Sequence, residues 1–233
     1  QQRANSHQTL FDWGAIVGTL IGNTLLGQVA ADLIDTANEH WTKSELLSFL
    51  NDGQREIVVL KPTANVVIES VELTPASARQ SLPANGYAFL RAIRNMGSDG
   101  DTPGASLREV DGSAMDAFDP TWRETTNPSA SVSGYFYNQD APRKWHVVPI
   151  APPAALFVEI EYSAAPADVT INGVDGGSSN SAISLDDAYA VALKEYVMYR
   201  AYARNAEVAN HQALATAHYE KFVGLVKAKA GGE

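Results

Sequence analysis

Few residues of this chain have the types and spacing that chemistry requires. His211 and His218 stand seven positions apart in a helical pattern and so share a face, but seven residues of helix rise about 10 Å, too far for two imidazoles to hold one metal ion without further ligands. Asp99 and Asp101 occupy a glycine-rich turn like the start of a calcium loop, without the glycine and glutamate that complete one. Glu159 and Glu161 fall on one face of a predicted strand, as a glycosidase pair would, and as two solvated neighbours also would. Tyr135, Phe136, Tyr137 and Trp145 gather across a predicted hairpin, either as a stacking platform for a sugar or base or as cross-strand packing. The absence of cysteine excludes a thiol nucleophile, a disulfide framework and a cysteine-based metal site. Phosphate-loop, H-E-x-x-H, nucleophile-elbow and dinucleotide-binding patterns are missing as well. The expectation is a protein that binds or assembles, with no catalytic residues, no cofactor and no metal.

The elements that must position these residues follow from periodicity. Thr24 to Asn38 carries Leu26, Val29, Ala30, Leu33, Ile34 and Ala37 at helical spacing. After Trp41, the residues Thr42 and Glu45 form a capping box that starts a second helix, which Pro62 ends. Residues 64–163 change to strand alternation, with strands expected at Val67–Leu73, Tyr87–Met96, Val132–Tyr137, Lys144–Val148 and Leu156–Tyr162, and a short helical turn capped by Ser113. A glycine- and serine-rich stretch precedes a helix capped by Ser184, Asn205 stops it, and a last helix runs from Ala206 to Lys227. The expected fold class is α+β, a helical bundle built from both chain ends with an inserted antiparallel β-domain. The expected units are an N-terminal arm or helix over 1–23, the bundle over 24–61 and 184–229, the β-domain over 62–171, and a flexible loop over 172–183.

Charge narrows the partners. The chain of 233 residues carries a net charge of -10, which disfavours a surface that grips phosphates. Residues 62–183 hold most of this excess of acid. At the N-terminus no charge falls between Asp12 and Asp32, and Gly14, Gly18 and Gly22 repeat every four residues. That face allows close helix approach. Asn23, Thr24 and Gln28 dilute the run as a membrane span, so its expected contact is a neighbouring protein subunit.

The run from Trp41 through Thr42-Lys43-Ser44-Glu45-Leu46-Leu47 to Asn51-Asp52-Gly53-Gln54-Arg55-Glu56-Ile57 resembles the opening of head-to-tail adaptor proteins of tailed bacteriophages, the tail-tubular adaptors of short-tailed phages in particular. Arg94–Gly97, Asp140–Pro149, Tyr162–Pro166 and Leu185–Tyr202 look like the same family in the same order, so that the resemblance covers about 24–229. It implies a structural ring, twelvefold, joining the portal protein to a tail or nozzle protein in the virion neck, assembled in the host cytoplasm, with DNA passing through without specific binding. Three expectations for residues stand beside it, the first two read from the capping box and the glycine spacing and the third from the acidic central segment. Trp41, Thr42 and Glu45 hold the turn between the first two helices. Gly14, Gly18 and Gly22 contact a neighbouring subunit or the portal. Asp99, Asp101, Glu109 and Asp111 face the lumen. The alternative is a carbohydrate- or receptor-binding tail component using the Tyr135–Trp145 aromatics.

Overall fold

The computed structural model of the chain describes residues 18–123, 128–174 and 176–230. Among them the fold is mixed, with five α-helices and two β-sheets. Helix α1 (Gly22–Asp32) buries Leu25, Leu26, Val29 and Ala30 at three- and four-residue spacing. It is shorter than the expected 24–38. The Ile34 amide donates to the Ala31 carbonyl at 3.1 Å and the Asp35 amide to the Ala30 carbonyl at 2.9 Å, with Ile34 at φ 56°. This pair of backward bonds around a left-handed residue is a Schellman turn, which ends the helix although the apolar spacing continues.

Helix α2 (Lys43–Leu60) begins at Thr42 and buries Leu46, Leu47, Leu50, Gly53, Gln54, Ile57 and Val58. A Cβ at Gly53 would lie 2.8 Å from the Tyr196 ring, so the bare glycine sets how closely α2 meets α4 (Ala190–Arg204). The expected Ser184 cap is corrected: the Ser184 hydroxyl accepts the Ala167 amide at 3.1 Å, while the Asp186 carboxylate accepts the Ala188 amide at 2.7 Å and opens a short 3₁₀ turn before α4. Helix α5 (His211–Ala230) also starts later than expected, after a turn in which Asn210 has φ 72°. The short helix α3 (Gly112–Phe118) is capped by Asp111 rather than Ser113.

Leu25 and Val29 of α1, Leu46, Leu50 and Ile57 of α2, Leu193 and Val197 of α4, and Phe222 and Val226 of α5 belong to one hydrophobic cluster. Helices from both chain ends therefore share a core, which Ile171, Ile183 and Leu185 from the preceding loop complete. Burial of each such aliphatic side chain contributes about 1.5–3 kcal/mol before entropy is subtracted.

The strands are β1 (Val66–Glu72), β2 (Arg79–Ser81), β3 (Gly86–Asn95), β4 (Arg108–Glu109), β5 (Gly134–Tyr137), β6 (Lys144–Val148) and β7 (Phe157–Ala164). One sheet has the antiparallel order β1-β7-β3, the other the order β2-β6-β5-β4. The β4–β5 pair is parallel, which departs from the expected all-antiparallel arrangement. Phe89, Val158, Ile160 and Tyr162 of the first sheet and Tyr135, Trp145 and Val147 of the second form a common core, so the two sheets pack face to face.

Candidate functional site

The turn between α1 and α2 is built around two carboxylates. Asp35 accepts the amides of Glu39, His40 and Trp41 at 2.9, 3.0 and 2.9 Å, and these bonds, that from Trp41 foremost, hold its carboxyl below the usual range. Glu45 accepts the Thr42 amide at 3.1 Å while the Thr42 hydroxyl accepts the Glu45 amide at 3.3 Å, the reciprocal pattern of a capping box. Partial burial pushes Glu45 up, but the Thr42 bonds and Arg204, 2.6 Å away, outweigh it and leave the carboxyl lowered. The Trp41 indole donates to the Ala201 carbonyl at 3.2 Å and meets the edges of His40 and Tyr202. The structure thus brings Trp41, Thr42 and Glu45 together against the C-terminal end of α4.

The glycine face is corrected. Gly18 and Gly22 are buried inside their own chain: a Cβ at Gly18 would come within 2.3 Å of the Leu185 carbonyl oxygen, and one at Gly22 within 2.3 Å of Val169. Neither is free to meet another subunit. Spacing identified a face that needs close approach but not what approaches it, which is the chain's own 169–185 segment. Asp187 fastens this strap by accepting the Thr19 and Leu20 amides, both at 2.8 Å, together with the Thr19 hydroxyl. That hydroxyl, with the Leu20 amide, holds the Asp187 carboxyl below its usual range. Gly14 lies outside the described residues.

The four acids expected at a lumen fall into two places. The Asp99 carboxylate accepts the amides of Asp101 and Thr102, both at 3.0 Å, within the turn after β3. Glu109 and Asp111 instead line an open cleft of about 890 Å³ with Asp116, Arg123, Tyr137 and Asp140. All four are exposed.

The aromatics are packed rather than displayed. Trp145 is 0% and Tyr135 6% exposed, Phe89 stacks on Trp145 at 4.8 Å, and Phe136 stacks on His146 at 4.6 Å. This assigns Trp145 and Tyr135 to cross-strand packing, while Phe136 and Tyr137 are half-buried along the cleft. Glu159 pairs with Arg94 at 2.8 Å and Glu161 with Arg91, so each carboxylate is neutralised by a neighbouring strand. His218 stacks on Tyr202 and sits 2.6 Å from Glu195, while His211 meets the edge of Tyr202. No cluster of three or more metal-binding side chains occurs among the described residues. No helix among them is long and apolar enough to cross a membrane.

Two polar anchors escaped the sequence pattern because their partners are remote in the chain. Gln54, fully buried on α2, accepts the Ser184 amide at 2.7 Å and donates to the Ala167 carbonyl at 3.3 Å. Glu195 on α4 is 6% exposed and joins Lys221 and His218 of α5. Burial pushes its carboxyl up, but these two partners outweigh it and hold it below the usual range.

Among families of known proteins, the model described as SU10 adaptor protein matches residues 23–232. No curated protein matches the chain.

Proposed function

Because the chain belongs to the SU10 adaptor protein family and so has a phage adaptor role, we propose that it is a structural component of the virion neck, a closed ring that joins the portal to the tail and leaves a passage for DNA. The observation that carries this reading is the family match over residues 23–232. The four helices of the two chain ends act as a bundle, and the paired sheets project from it as a second unit. No chemistry is asked of the protein: its carboxylates serve as caps, latches and ion pairs. Assembly takes place in the host cytoplasm, and the ring number is twelve. DNA slides past without specific binding because the central segment is acidic.

An averaged image of the particle neck tests this. The expected result is a closed ring of this chain between portal and tail, absent from particles lacking its gene. Necks with no such ring, or particles that eject DNA without the protein, would sink the proposal.

A further inference from the structure

Ile34 has the greatest exposure of the large apolar residues among those described, 94%, and its φ of 56° lies where β-branched side chains are outliers. It stands at the position of a Schellman turn that glycine normally takes. Glycine or asparagine would fit the turn with less strain, and the isoleucine gains no packing within its own chain in return. The turn is also held stiffly, by the three amide bonds to Asp35 and by a 2.9 Å contact between His40 and Asn205. An apolar side chain held outward on a rigid, strained turn is suited to enter a partner.

The surroundings of α4 indicate which surface receives it. Glu195, Tyr199 and Tyr202 of α4 meet His218, Tyr219 and Lys221 of α5. On another side of α4, Lys194 pairs with Asp32 at the end of α1. Helices α1 and α5 therefore flank α4. The outward side of α5 carries the exposed residues Ala217, Gly224, Lys227 and Ala228, and a Cβ at Gly224 would meet nothing within 4 Å. Charge fits on one side of that space: Glu39, five residues after Ile34, is exposed, no Lys or Arg occurs from residue 22 to 42, and on α5 Lys227 borders the open space at the end away from the exposed Glu220.

We propose that Ile34 of one copy seats against the outward side of α5 of the next copy, over Gly224, with Glu39 facing Lys227. The proposal rests on the ring reading above. Knob and socket lie on different flanks of the chain, so the contact is heterologous and propagates around a ring instead of closing a pair.

The chain has no cysteine, which makes the test direct. Particles carrying Ile34→Cys together with Gly224→Cys are oxidised, and the adaptor is blotted after denaturing electrophoresis. The expected result is a ladder of dimers, trimers and larger species, with only monomer from either single variant. In parallel, Ile34→Gly in the purified chain should raise the unfolding midpoint by about 2–4 °C. The same change should lower incorporation into particles by about tenfold, the affinity that burial of one isoleucine supplies. A ring in wild-type necks without a ladder, or normal incorporation of Ile34→Gly, overturns the contact and leaves the ring standing. Dimers from Ile34→Cys alone overturn it in favour of a twofold pair. Loss of portal binding by Ile34→Gly rings that still close overturns it in favour of the portal. Wild-type necks with no adaptor ring overturn both this contact and the reading beneath it.

Discussion

Thr42 and His146 show how much depends on single polar groups. Thr42→Ala removes the acceptor of the Glu45 amide and one partner of its carboxylate, and should cost about 1 kcal/mol, read as a fall of about 2–4 °C in the unfolding midpoint. An unchanged midpoint would show that the backbone amide of residue 42 and Arg204 suffice to keep Glu45 in place. His146 is half-buried on the Phe136 ring, and burial, with Arg123 and Arg79 nearby, holds its pKa below the usual 6.5. The unfolded chain therefore takes up a proton near pH 6.5 that the folded chain refuses. Stability from this residue is complete above that pH and is lost as pH falls below it. Unfolding midpoints measured from about pH 7.5 to about pH 5.5 should drop, and His146→Phe, which keeps a ring on Phe136, should flatten that slope. Equal slopes in both proteins would assign the acid sensitivity elsewhere. At this scale the Thr42–Glu45 box was legible because it is local, two residues three positions apart that bond one another. Gly18 and Gly22 were misassigned because a glycine reports closeness without naming the neighbour.

Helix α2 depends on its one internal glycine. Gly53→Leu would drive a side chain into Tyr196 and Leu193, whose atoms lie 2.8 and 3.3 Å from the position of a Cβ. Overpacking of that kind should destabilise by roughly 1–3 kcal/mol, measured by denaturant unfolding. A variant as stable as the wild type would mean that α2 and α4 separate without loss. This helix was also the element best seen from sequence, since its apolar period is bracketed by a cap at Thr42 and a terminating proline at Pro62. The late start of α4 was hidden because the Ser184 hydroxyl accepts the amide of Ala167, seventeen residues earlier in the chain, instead of an amide of its own helix. Strands β2 and β4 have three and two residues, too few for alternation to register, and they hold their place by pairing with β6 and β5.

Across the whole molecule, the four loop acids expected at a lumen divide between the turn after β3 and the cleft beside α3, with Asp99 and Asp101 in one and Glu109 and Asp111 in the other. If both places border the DNA passage, exchanging the four residues for lysine should slow ejection and make it depend on salt, because lysine contacts with phosphate release counterions. Ejection at the normal rate and salt dependence would place these acids on the outer wall. The sheets leave and rejoin the helices at adjoining points: the Ala164 amide donates to the Asn65 carbonyl at 3.0 Å, and the Asn65 side chain returns a bond to the Ala164 carbonyl at 2.9 Å. Two chain ends clamped in this way make the intervening hundred or so residues a cassette, closed at its base like a drawstring. Its size and surface can change while the path of the helices stays fixed, so a lineage is free to remodel one half of the protein while the other keeps its geometry.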